Sequence, residues 1–137
     1  MKIKLIKFSN FEKVPTRAHW NDSGADVYAT KDIILKPGIN VVDLGFGLEL
    51  PNGYDAVVYC KSGLSSNGIF ASNSPIDSGY RGECHAILGS FRTDDFTIKK
   101  GQKVGQLVIR PVVYAEFVET IDEKERGTDA FGSTDKK

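Results

Sequence analysis

Residues 39–60 read Ile-Asn-Val-Val-Asp-Leu-Gly-Phe-Gly-Leu-Glu-Leu-Pro-Asn-Gly-Tyr-Asp-Ala-Val-Val-Tyr-Cys, and they decide the fold class. Three short runs rich in β-branched and aromatic residues, Ile39 to Leu44, Phe46 to Leu50 and Tyr54 to Cys60, are divided by Gly45 and by Pro51-Asn52-Gly53. Such runs are the length of strands, and the dividers are residues that turn the chain sharply. The same grammar extends outward. Lys2 to Phe8 alternates charged and apolar positions, Ile33 to Leu35 precedes Lys36-Pro37-Gly38, and Glu83 to Phe91, Phe96 to Ile98, Lys103 to Val113 and Ala115 to Val118 continue the series, with Lys100-Gly101 as a further turn. Helical periodicity is almost absent. The one short helical turn is expected near Ser62, capping Gly63 to Ser66 before Gly68 ends it. Many short strands spaced in this way predict an all-β sandwich or barrel.

The chain has 137 residues, enough for a single core and too few for two. Lys plus Arg and Asp plus Glu each total 18, so no net field favours a nucleic-acid backbone or an anionic membrane, and any phosphate binding must be local. The start, Met-Lys-Ile-Lys-Leu-Ile-Lys-Phe, lacks the continuous apolar core of a signal peptide, and no run reaches membrane-spanning length. The expectation is a cytoplasmic protein, with Cys60 and Cys84 as buried, reduced thiols. Residues 1–121 are expected to form the β-sandwich core. Asp122 to Lys137, charged and then rich in Gly, Ser, Thr and Asp with Phe131 as its large apolar residue, is expected to be a mobile C-terminal arm.

Five clusters carry chemistry. In Asn73 to Glu83, Asn-Ser-Pro-Ile-Asp-Ser-Gly-Tyr-Arg-Gly-Glu, Pro75 fixes one φ while Gly79 and Gly82 permit backbone that a Cβ would forbid, a turn-rich frame that holds Asp77 and Tyr80. The pair suits a general base beside a flat surface for a planar ligand, although an Asp turn in an ordinary hairpin has the same composition. Ser23 to Ala29 sets Asp26 at the mouth of a strand, either as a solvated turn residue or facing a metal's water shell. Lys61-Ser62-Gly63 joins a cation, a hydroxyl and backbone amides, as an anion site or a plain helix cap does. In Gly101 to Val108, Gln106 is a polar amide among apolar strand residues. Arg126 to Thr134 brings a guanidinium, a ring and hydroxyls together in the arm.

In this order and spacing the clusters resemble the five motifs of the trimeric dUTPase family, across nearly the whole chain. Ser23 to Ala29 echoes Ala-Gly-x-Asp-Leu-x-Ala, Lys61 to Gly63 echoes Arg-Ser-Gly, and Ile76 to Glu83 matches Ile-Asp-x-x-Tyr-Arg-Gly-Glu. Gly101 to Val108 is similar to Gly-x-x-x-x-Gln-Leu, and Arg126 to Thr134 to Arg-Gly-x-Gly-Gly-Phe-Gly-Ser-Thr. The resemblance implies a distorted antiparallel jelly-roll, a homotrimer with sites shared between chains, and hydrolysis of dUTP to dUMP and pyrophosphate. It implies that Asp77 activates the water attacking the α-phosphorus and that Tyr80 lies against the deoxyribose and excludes a 2′-hydroxyl. The backbone from Asn73 through Ile76 to Asp77 would read uracil, while Lys61, Ser62, Gly63 and Gln106 hold the phosphates. Arg126, Gly132 and Ser133 would close on the terminal phosphates with Phe131 over the base, and Mg2+ would ride on the triphosphate with Asp26 touching it through water.

Three departures stand out. Lys61 takes the place of the family's Arg, keeping charge without the planar fork. Asp129-Ala130 replaces Gly-Gly, and the stretch between Lys61 and Asp77 is shortened, which leaves Asn73 as the nearest candidate to face uracil. Two other readings are a dCTP deaminase of the same fold and a non-catalytic, nucleotide-binding regulatory trimer. The deaminase reading is disfavoured because the position of its working carboxylate falls on Ile87 and because Tyr80 stands where that enzyme usually has Phe. His85, a lone histidine on the following strand, is left without a role.

Overall fold

A computed structural model describes residues 1–120. Its ten strands are β1 (Lys4–Lys7), β2 (Ala25–Tyr28), β3 (Ile33–Leu35), β4 (Gly38–Asp43), β5 (Phe46–Glu49), β6 (Tyr54–Tyr59), β7 (Ile69–Ala71), β8 (His85–Ser90), β9 (Phe96–Ile98) and β10 (Lys103–Pro111), with one helical turn, α1 (Ser62–Ser65), between β6 and β7. All pairings are antiparallel, in the orders β1-β5, β2-β10-β6, β3-β9 and β4-β8-β7. This is the expected all-β jelly-roll type of architecture. No helix of the described residues is long and apolar enough to cross a membrane.

Alternation builds the core. Along β8, Ala86, Leu88 and Ser90 point inward while His85, Ile87 and Gly89 are half-buried on the other face. Val27, Leu35, Val42, Phe46, Leu88, Ile98 and Val104 converge from different strands into one buried cluster. Each such side chain contributes about 1.5–3 kcal/mol on leaving water.

Several sequence expectations change. Ala115 to Val118 forms no strand; that stretch is exposed and has no ladder partner among the described residues. Ile69–Ala71 is a strand that the pattern did not reveal, paired on the edge of β8. Lys61, and not Ser62, occupies the N-cap of α1, in extended conformation and with no side-chain cap bond. Gly68, at φ +84°, follows the helical turn as anticipated. Of the two cysteines, both free, Cys84 is buried, whereas Cys60 is only half-buried and donates its thiol to the Ile69 carbonyl at 3.2 Å. Burial pushes the Cys84 thiol up to about 12, with the Glu83 carboxylate adding to the effect, so it is inert.

One close approach positions the functional loop. A Cβ on Gly47 of β5 would lie 2.7 Å from the Gly82 carbonyl oxygen and 3.0 Å from that of Arg81. Both obstacles are backbone and cannot swing away. Gly47→Ala is therefore expected to push residues 81–82 off β5 and to cost about 1–3 kcal/mol; chemical denaturation of the variant beside the parent measures it.

Candidate functional site

The Asp77 loop is held from several directions. After β7 the chain leaves the sheet with Ser72 N–H still donating to the Ile87 carbonyl, and passes Asn73 at φ +58°. It is then recaptured at Ile76, whose N–H and C=O both bond Ala56 of β6, at 2.6 and 3.1 Å. Asp77 follows immediately. Its carbonyl accepts Tyr80 N–H at 3.1 Å, closing a turn, and Arg81 Nη1 donates to the Ser78 carbonyl at 2.6 Å. Tyr80 donates its hydroxyl to the Glu83 carbonyl at 2.8 Å, which lays the ring where a side chain on Gly82 would collide with it. Glu83 is fixed in turn, accepting from Asn10 Nδ2 at 2.9 Å and from Gly45 N–H at 2.8 Å.

These contacts shape a cleft of about 230 Å³ lined by Ser74, Ile76, Asp77, Tyr80, His85 and Ile87 among others. Asn73 lines a small adjoining hollow with Ser72, Ser74, His85 and Ile87. The Asp77 carboxylate is exposed and has no hydrogen-bond partner among the described residues. It is thus an unpaired carboxylate at the mouth of a partly apolar cleft. His85, set aside in the sequence, lines both spaces and pairs with Asp43 across β4 and β8 at 3.1 Å. Its place beside the cleft follows from strand alternation after Glu83, a signal that a lone histidine does not carry by itself.

A second group forms around Asp26. Register places Asp26 of β2, Gln106 of β10 and Tyr59 of β6 side by side, and an isolated bridge with Thr16 crosses over Asp26. The Asp26 carboxylate is only 5 % exposed, so it requires compensation. Lys61 Nζ supplies it at 2.6 Å on one oxygen and Lys103 Nζ at 3.1 Å on the other. Burial alone would raise the Asp26 pKa, but the two ammonium groups outweigh it and hold the carboxyl below its ordinary value. Lys103 reaches this face through a bulge in β10: register shifts between Lys103 and Gly105, so Val104 stays in the core while Lys103 pairs with Tyr28, two residues along the face from Asp26. The sequence missed Lys103 because simple alternation puts it on the opposite face from Gln106; Gly105 beside Val104 is the one local mark of the irregularity. Ser62 and Gly63 open α1 at the surface, where the first amides of a helical turn have no intrahelical acceptor.

The sequence-predicted residues therefore fall into two separate places. Ile76, Asp77 and Tyr80 line one cleft with Asn73 next to it, while Asp26, Lys61, Ser62, Gly63 and Gln106 gather at the other end of β6. Because the Ile76–Ala56 bridge is antiparallel, Asp77 runs toward Asp55 and away from Tyr59. The two ends of β6 are on the order of 15 Å apart at the usual rise per residue. Arg126, Phe131, Gly132 and Ser133 lie outside the described residues.

The family model for dUTPase matches residues 11–135. The chain belongs to the dUTPase family. A deoxyuridine 5'-triphosphate nucleotidohydrolase of Clostridium tetani is 42% identical, over 99% of this chain and 97% of its own. One from Ehrlichia canis is 41% identical, over 96% and 94%. Among solved structures, the Staphylococcus bacteriophage 80alpha dUTPase G164S mutant with dUpNHpp superposes at a TM-score of 0.80, covering 97% of this chain and 98% of its own at 23% identity. The D95N dUTPase of phage phi11 of S. aureus, described with a structural Mg(II) ion, also reaches 0.80, with 89% and 98% covered at 20% identity. Such likenesses establish the dUTPase fold for this chain.

Magnesium, implied for the family, finds no well-matched set of ligands among the described residues. Asp26 is buried with each oxygen on an ammonium group, which leaves it a poor partner for a hydrated cation. The cluster of Asp43, Glu83 and His85 includes an imidazole, a donor that magnesium does not favour.

The Asp26 pair has a pH signature. Its folded pKa is depressed, so its stabilisation is complete above the ordinary carboxylate range near 4 and is lost as pH falls through the lower folded value. Asp26→Asn should destabilise the protein by on the order of 3 kcal/mol at neutral pH, because two cations lose their counter-charge, and should flatten the decline in stability below pH ~4. Urea unfolding of both proteins from pH 7 to 3 tests this.

Proposed function

We propose that this dUTPase-family chain is a dUTP diphosphatase that hydrolyses dUTP to dUMP and pyrophosphate inside the cell. The observation that carries the reading is the unpaired Asp77 carboxylate on a braced turn, sharing one cleft with the Tyr80 ring. The activity named for relatives up to 42% identical supports it. In this reading Asp77 takes a proton from a water whose oxygen forms a bond to the α-phosphorus, and the bond to the bridging oxygen breaks to release pyrophosphate. Tyr80 packs on the deoxyribose, where a 2′-hydroxyl would be both crowded and desolvated. Ile76 has both backbone groups engaged by Ala56, so its contribution is an apolar wall, and the free main-chain groups around Asn73 and Ser74 read the uracil edge. Ser62, Gly63 and Gln106 receive the phosphates beside the Lys61–Asp26 ion pair, and Arg126, Phe131, Gly132 and Ser133 of the arm complete the site. Magnesium bound to the triphosphate would supply charge neutralisation there.

The distance between the Asp77 cleft and the Lys61–Gln106 group leads to a homotrimer in which one chain's cleft is completed by its neighbour's phosphate group. Exposed apolar surface supports this. Ile39, Val41 and Phe91 stand out on or beside the β4-β8-β7 sheet, and Val113, Phe117 and Val118 are largely bare on the extended stretch after β10. An open cleft of about 530 Å³ is lined by Ile3, Leu5, Leu48 and Ile109 with Arg17 at its side. Exposed apolar side chains of this size are the material from which subunit interfaces are made.

Asp77→Asn should lower kcat for dUTP by at least a hundredfold while leaving the binding of a non-hydrolysable analogue within a few-fold, since the amide keeps the shape but cannot take the proton. Pyrophosphate release and calorimetry measure the two effects, and turnover near that of the parent would remove Asp77 as the base. Light scattering at micromolar concentration should give the mass of a trimer; an active monomer would contradict the shared site.

A further inference from the structure

We propose that Lys103 is the cation that meets the polyphosphate, while Lys61 serves as the fixed counter-charge of Asp26. The inference rests on the reading of the site as a nucleoside triphosphate hydrolase and concerns how this particular chain divides the work. Two ammonium groups share one carboxylate, so one positive charge is left uncompensated beside Gln106. The partners are unequal. Lys61 bonds Asp26 at 2.6 Å with its side chain 26% exposed, whereas Lys103 stands at 3.1 Å and is 48% exposed. Lys103 is therefore the one that can turn toward a ligand without stranding the buried carboxylate.

The identity of residue 61 makes this division necessary. An arginine can hold a carboxylate with one edge of its guanidinium and a phosphate with another. A lysine presents a single compact ammonium, and here it is committed to Asp26. The β10 bulge places Lys103 on the face of Asp26 and Gln106, and Lys103 also lines a cleft with Leu64, the residue that follows Ser62-Gly63. The bulged strand thus brings a mobile cation to the segment where the phosphates are received.

Steady-state kinetics on Lys103→Met, Lys103→Arg and the double variant Lys61→Arg/Lys103→Met test the assignment. Lys103→Met should raise KM for dUTP about tenfold, the loss of one charge-assisted contact, and should weaken the dependence of KM on salt with kcat changed less than threefold. Lys103→Arg should restore KM, and Lys61→Arg should recover part of it in the double variant by providing the second edge. KM within twofold of the parent in Lys103→Met, with an unchanged salt slope, overturns the proposal. So does a raised KM that Lys103→Arg fails to restore and that comes with a lowered Tm, since that pattern marks a structural lysine. Calorimetry with inorganic tripolyphosphate separates this proposal from the assigned reaction: an anion bound by the parent and lost in Lys103→Met upholds the subsite even for a protein that leaves dUTP intact, and equal binding by both sinks it.

Discussion

The buried carboxylate of Asp26 is the constraint around which one half of the molecule is arranged. An ionised group at 5 % exposure is tolerated only with its charge answered and its lone pairs occupied. Two lysines meet that demand, one following the end of β6 and one from the bulged start of β10. The chain entering α1 and the chain entering β10 are thereby tied to β2, and Gln106 is carried to the same face by register. A purely apolar residue at 26 would pack as well, yet it would leave two cations side by side. The charge therefore specifies geometry where hydrophobic packing would specify only proximity.

The other half depends on backbone proximity more than charge. Gly47 lets β5 lie against residues 81–82, Ile76 is held on both sides by Ala56, and the Tyr80 hydroxyl returns to the Glu83 carbonyl. Asp77 is consequently displayed on a frame with little freedom, although its carboxylate makes no hydrogen bond or ion pair among the described residues. That division suits a base: a carboxylate already bonded to a cation would be a weaker proton acceptor, while a free one on a mobile loop would lose its alignment.

What could be read from the sequence follows from how local each feature is. Phe96–Ile98 and Ile33–Leu35 came out with the bounds expected of them, since alternation and flanking turns are local. The frame of Asp77 and Tyr80 was legible in part, because Pro75 fixes one φ and Gly82 leaves room for the Tyr80 ring, whereas Gly79 has open space around it and no positive φ. Ala115 to Val118 has the composition of a strand, but a strand exists only with a partner, and none lies among the described residues. Asp26 looked like a residue at a strand mouth, yet it is paired along β2 by a bridge to Thr16, a contact that no local pattern announces. Lys103 was hidden by the bulge, which inverts the face that alternation assigns.

The two failures of local reading, the unpaired segment after β10 and the buried ion group, share a cause. Both concern surfaces whose partners are distant in sequence, and for Val113, Phe117 and Val118 the partner is distant in a stronger sense, because the described chain does not cover them at all. A jelly-roll that opposes Asp77 and Lys61 across the length of β6 cannot let one small ligand touch both from the same chain. If neighbouring copies cover the apolar strip, the same association can set one chain's cleft against the next chain's cations. Burial of hydrophobic surface would then be the force that assembles a site for a highly charged substrate, with the specific polar contacts left to orient it.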